Sequence, residues 1–174
     1  MITRLIGKVA LITGATAGIG KACARALAKD GARLVLTGRR QDRLEELKQE
    51  AEKYGTQAIS VAGDAREVST AAKTVEAAIQ AFGQIDILVN NAGAGNYKNL
   101  IETSAEEYDD LMDTNVRSTF LFTRHTVPVM LQRKQGTVLT ISSMAGVYGF
   151  AGEAACCATK FAQVGFAQAL DKEL

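Results

Sequence analysis

Residues 8–20, KVALITGATAGIG, decide the fold. Residues 8–13 form a short apolar run, long enough for a strand buried on both faces. Gly14, Gly18 and Gly20 then interrupt it. Glycines there let the backbone turn sharply and let a ligand come close. From Ile19 to residue 30 the apolar and alanine residues fall at helical spacing, and Gly31 supplies a stop. A helix entered through such a turn offers unpaired N–H groups and a positive dipole end to an anion. A Gly-rich turn alone is also an ordinary connection. Its place between a buried strand and a helix strengthens the anion reading.

Outward from this unit the same alternation repeats. Strands are predicted over 33–37, 58–62, 85–90 and 136–142, and helices over 41–54 and 67–82. Ser104 and Glu107 form a capping box that opens a helical stretch over 104–132, which Pro128 is expected to kink or break. A last helix is expected over 151–174. The pattern describes one α/β domain over 1–174, a Rossmann-type doubly wound parallel sheet with five strands in three α/β/α layers. Ligands bind such sheets beyond the carboxyl ends of the strands, where strand order reverses.

Apolar residues make up 47% of the 174, and the formal net charge is +1. That balance excludes a disordered chain and gives no field for nucleic acid or anionic membrane. No apolar run approaches the ~20 residues that span a bilayer. Met1 to Gly7 lack a signal-peptide layout, and residues 171–174 (DKEL) read as a helix end. Cys23, Cys156 and Cys157 have no disulfide or metal spacing, and His125 is the sole histidine, so a cytoplasmic protein without a metal is expected.

Four ordered motifs resemble the short-chain dehydrogenase/reductase family. Thr13-Gly14-Ala15-Thr16-Ala17-Gly18-Ile19-Gly20 matches its TGxxxGIG turn. Asn90-Asn91-Ala92-Gly93 matches NNAG, Ile141-Ser142-Ser143 matches the end of its fifth strand, and Lys160 matches the lysine of YxxxK. The resemblance covers essentially the whole chain. It implies a nicotinamide dinucleotide held by Gly14, Thr16, Ala17, Gly18, Ile19 and Gly20 at the pyrophosphate. Asp64 and Ala65 would stand at the adenine, Asn91, Ala92 and Gly93 on the ribose side, and Lys160 at the nicotinamide ribose. Asp64 could equally cap the helix that follows it.

NAD-specific sites usually place a carboxylate ~20 residues past the glycine turn. Thr37-Gly38-Arg39-Arg40 has none there. Two guanidinium groups suit a 2′-phosphate, so NADP(H) is favoured over NAD(H).

Reduction of a carbonyl needs a proton donor beside the developing alkoxide. The family uses a tyrosine whose pKa is lowered by a lysine one helical turn on, together with a serine and an asparagine. These map to Asn115, Ser143 (with Ser142 as fallback) and Lys160, but the tyrosine position is Cys156. A thiol is acidic enough, at ~8.5 against ~10 for a phenol. Its side chain ends short of the position of a tyrosine hydroxyl. Neither Tyr97 nor Tyr148 has helical spacing to Lys160. An NADP(H)-dependent oxidoreductase acting on a small carbonyl or alcohol is therefore expected, with activity impaired by Cys156. The alternative is a non-catalytic dinucleotide-binding module or partner subunit. Family members usually carry further strands after the fifth, so the fifth strand is expected to have an open edge. Helices 104–132 and 151–174 are expected to support a homo-oligomer.

Overall fold

A computed structural model describes residues 4–174; Met1 to Thr3, part of the segment read for a signal peptide, lie outside them. The strands are β1 (Val9–Ile12), β2 (Arg33–Gly38), β3 (Ala58–Ala62), β4 (Ile87–Asn90) and β5 (Thr137–Thr140). The helices are α1 (Gly18–Lys29), α2 (Gln41–Glu52), α3 (Val68–Phe82), α4 (Ala105–Met112), α5 (Ser118–Arg133) and α6 (Ala154–Glu173). All strands are parallel, in the order β3-β2-β1-β4-β5. This is the doubly wound Rossmann arrangement, with the order reversing at β1.

Burial on both faces explains why β1 carries no polar alternation. Ala10 and Ile12 pack with Ala24 and Ala28 of α1 and with Leu44 and Leu47 of α2. Val9 and Leu11 point the other way, to Ala71, Val75 and Ala78 of α3 and Leu121 and Phe122 of α5. Alanines on α1 and α3 let those helices lie close against the sheet. β5 pairs only with β4 among the described residues, and Leu139 on it is half exposed. No helix among the described residues is long and apolar enough to cross a membrane.

Beyond shifts of one or two residues at the ends of strands and helices, three features differ from expectation. The stretch over 104–132 is not one helix: a π turn, Asp113–Arg117, separates α4 from α5. Pro128 does not break α5, which continues to Arg133. Its missing N–H removes one ladder bond, and the turns on either side carry the helix through. The last helix starts at Ala154 rather than 151, because Gly152 takes φ +75° just before it. The capping box forms as read: Ser104 Oγ accepts from the Glu107 N–H at 3.2 Å, and Glu107 Oε2 accepts from the Ser104 N–H at 3.0 Å.

Candidate active site

The carboxyl ends of the strands open onto one cleft of about 800 Å³. The turn after β1 forms its floor. Gly14 has φ +62°, and a Cβ there would stand 2.9 Å from the Ala92 Cα. Thr13 Oγ1 accepts from the N–H groups of Asn91 and Ala92, both at 2.9 Å. Asn91 Nδ2 returns the contact to the Thr13 and Gly14 carbonyls at 2.9 and 3.1 Å. The loops after β1 and β4, on either side of the point where strand order reverses, are thereby locked together. Ala17, the N-cap of α1, gives no side-chain cap, and the first turn holds no acid. Its N–H groups are left for an anion. Gly14, Thr16, Ala17, Gly18 and Ile19 line the cleft. Gly20 does not. It lies beneath the turn, where a Cβ would meet Asn91 Nδ2 at 2.3 Å.

Arg39, Arg40, Asp64 and Ala65 form one end of the cleft. Arg40 is the N-cap of α2, and its Nη2 donates to Thr16 Oγ1 at 2.7 Å, beside the glycine turn. Asp64 does not cap α3, whose N-cap is Glu67. Instead Asp64 Oδ1 accepts from the Arg66 N–H at 3.0 Å, and Oδ2 accepts from Arg66 Nη2 at 2.7 Å. The Arg66 hydrogen bonds hold the Asp64 carboxyl below its usual range against the opposing effect of burial. Arg66 thus offsets the one acid at this end and leaves Arg39 and Arg40 to set its sign. A phosphate monoester fits that donor set.

The other end brings together Asn91, Ala92, Gly93, Ser142, Ser143, Cys156 and Lys160. Ser142 Oγ donates to the Lys160 carbonyl at 3.3 Å, so its proton is engaged. Ser143 Oγ accepts from the Ala145 N–H at 3.2 Å and keeps its own proton for the cleft. Lys160 Nζ donates to the Ile141 carbonyl at 3.0 Å and to Gln163 Oε1 at 2.9 Å. Burial pushes the Lys160 pKa below its ordinary value, and the adjacent Cys156 opposes that shift. Cys156 is 8% exposed. Cys157 faces away, its Sγ 3.8 Å from the Tyr148 carbonyl.

Asn115 is buried behind this wall, in the π turn, and does not line the cleft. Its Oδ1 accepts from the Ala94 N–H at 2.7 Å, and its Nδ2 donates to the Ala94 carbonyl and to Thr159 Oγ1, both at 2.9 Å. It braces the loop after β4 against α6. Sequence reading missed Thr13, Arg66, Thr159 and Gln163. It also set Tyr97 aside on helical spacing, yet Tyr97 lines the cleft from the loop after β4. Residue spacing reports neighbours on one helix and is silent about loops that fold over it.

A family model described as short chain dehydrogenase matches residues 8–174. The chain is 33% identical over 171 residues to 3-oxoacyl-(acyl-carrier-protein) reductase of Thermotoga maritima, covering 98% of this chain and 70% of that protein. It is 38% identical over 168 residues to NADPH-dependent pterin aldehyde reductase of Arabidopsis thaliana, covering 96% of this chain and 69% of that protein. The crystal structure of a metagenomic short-chain oxidoreductase in complex with NADP superimposes with a TM-score of 0.92 at 37% identity, covering 98% of this chain and 77% of that one. The glycine turn, the strand order and the lysine-bearing helix are therefore shared with a family of dinucleotide-binding oxidoreductases, and the chain belongs to the short chain dehydrogenases.

Proposed function

We propose that this chain binds NADP(H) and serves hydride transfer between the nicotinamide and a small carbonyl or alcohol, with the proton step impaired by Cys156. The observation that carries this reading is the shared cleft: one hollow holds the glycine turn, the Arg39–Arg40 pair and the Ser143–Cys156–Lys160 group. When bound, the dinucleotide supplies or accepts the hydride. The chain does the rest. The N-terminus of α1 takes the pyrophosphate, and Arg39 and Arg40 take the 2′-phosphate. Asp64 and Ala65 flank the adenine, and Asn91 to Gly93 border the ribose. Lys160 donates its remaining hydrogen to a ribose hydroxyl, and the Ser143 hydroxyl donates to the substrate oxygen. Cys156 occupies the place from which a phenol would deliver the proton. Two of the relatives are named as reductases of a 3-oxoacyl group and of an aldehyde, which supports a carbonyl as the reacting group.

A second reading, a dinucleotide-binding module without turnover, is favoured by Cys156 alone. We also propose a homo-oligomer through helices 104–132 and 151–174, supported by the half-exposed Phe120 and Phe161. A cytoplasmic setting with reduced thiols goes with this reading.

Titration followed by the fluorescence of the reduced cofactor tests the binding, and the lack of tryptophan keeps background low. NADPH should saturate well below NADH. Arg39→Ala with Arg40→Ala should weaken NADPH by about 10–100-fold and leave NADH unchanged. Equal affinity for both cofactors would remove the 2′-phosphate assignment, and no binding of either would remove the cofactor.

A further inference from the structure

We propose that Gln163 is a positioning residue for Lys160: its buried amide fixes the ammonium in the cleft wall and fills the path between that ammonium and the Asn115 carbonyl. Cys156, Lys160 and Gln163 recur at helical spacing on α6 and share one face. Gln163 is only 2% exposed. A buried amide must place two donor hydrogens and one acceptor oxygen, and each has a partner here. Nε2 donates to the Asn115 carbonyl at 2.8 Å and to Thr119 Oγ1 at 3.0 Å, while Oε1 accepts from Lys160 Nζ at 2.9 Å. The amide cannot be reversed, because its NH2 would then face an ammonium that has only hydrogens to offer.

The π turn supplies the other half of the arrangement. A helix's carbonyl ladder slips at such a turn. The Asn115 carbonyl accepts two side-chain donors there, Gln163 Nε2 and Thr119 Oγ1, the latter at 2.8 Å. Lys160 has three hydrogens. One goes to the Ile141 carbonyl, one to Gln163 Oε1, and the third remains for the cleft. Lys160 is thus a fixed, single-donor cation at the ribose end. This assignment rests on the reading of the cleft as a dinucleotide site.

Two readouts test it, one of which needs no cofactor. Lys160 acetylation by an N-hydroxysuccinimide ester, followed residue by residue by mass spectrometry, reports the anchoring in the nucleotide-free protein. Gln163→Met removes the acceptor, and Lys160 should acetylate about tenfold faster while the other lysines keep their rates. Gln163→Glu keeps an acceptor on the ammonium, and Lys160 should acetylate no faster than in the wild type. The second readout is affinity. Gln163→Met should weaken NADPH about tenfold and leave adenosine 2′,5′-bisphosphate unchanged, since that fragment ends before Lys160. Equal weakening of both probes would show a structural role only and overturn the proposal. Unchanged Lys160 acetylation in Gln163→Met would also overturn it. Should Gln163→Met fail to fold, faster acetylation in Gln163→Glu decides against it, and an unchanged or slower rate decides for it. A wild type that binds neither nucleotide defeats the cofactor reading, while the acetylation rates still decide the role of Gln163.

Discussion

Cys156 concentrates the question of activity in one side chain. It lines the same cleft as Ser143 and Lys160, so position is kept and reach is lost. A general acid acts within about 3 Å of its target or through one water, and contributes about 10²–10⁴ in rate. Cys156→Tyr is expected to raise carbonyl reduction by about that factor, with little change in the NADPH dissociation constant. Oxidation of NADPH with a small aldehyde or ketone panel measures it. Tyr97→Phe belongs in the same series, because Tyr97 is the one tyrosine that borders the cleft. A wild type that already turns over at about 10 s⁻¹, a typical enzyme rate, would sink the idea. If that rate also falls in Tyr97→Phe, the proton comes from Tyr97. Cys156 could be read in the sequence because the lysine four residues on fixes its place. Tyr97 could not, since its position follows from how the loop after β4 folds.

Among the elements, β1, β2 and β4 were legible because burial on both faces leaves continuous apolar runs, and a glycine follows each of the first three helices. The division of 104–132 was not. A π turn adds one residue to a helix and barely disturbs the apolar pattern around it, so Asp113–Arg117 leaves no clear signature. Pro128 misled in the opposite direction, since composition shows the missing donor and hides the turns that tolerate it. The glycine turn was read correctly as a unit, but its glycines do different work. A Cβ at Gly20 would stand 2.3 Å from Asn91 Nδ2 and 2.6 Å from the Gly14 carbonyl oxygen. A Cβ at Gly18 would meet nothing within 4 Å, although φ there is +52°. Gly20→Ala should therefore push the loops after β1 and β4 apart, costing about 1–3 kcal/mol and the NADPH site with it. Gly18→Ala meets no protein atom, so its cost to the fold is the left-handed strain, about 1–2 kcal/mol, while its methyl group projects from a residue that lines the cleft. Urea unfolding and NADPH titration compare them. A larger loss of stability to urea in Gly18→Ala than in Gly20→Ala would contradict the packing role of Gly20.

Across the whole molecule, binding and stability lie at opposite ends of the sheet. The cleft occupies the carboxyl ends of the strands, whereas Asp86 sits just before β4 at the amino ends. It is 4% exposed. Its Oδ2 accepts from the Val9 N–H at 2.9 Å and from Gln84 Nε2 at 2.6 Å, and its Oδ1 from Arg133 Nη1 at 3.2 Å and Lys8 Nζ at 3.4 Å. One carboxylate thereby clips the start of β1 and the end of α5 to the approach to β4. Burial raises its pKa, but the hydrogen bonds from Val9, Arg133 and Gln84 and the charge of Lys8 outweigh that and leave it below the usual range. A carboxyl whose folded pKa lies below its unfolded value of about 3.9 contributes its full stability above that pH and loses it as pH falls through the folded pKa. Asp86→Asn should therefore cost about 2–4 kcal/mol in urea unfolding at neutral pH, because two cations lose their partner. The gap to the wild type should narrow as pH falls below about 4, where the wild-type carboxyl itself takes up a proton. NADPH affinity of the folded variant should stay at the wild-type value, since no group of this clip reaches the cleft. A gap that persists unchanged into acid would mean that shape at Asp86, rather than its charge, holds the amino end of the sheet. A loss of NADPH affinity would mean that the two ends are coupled through β4.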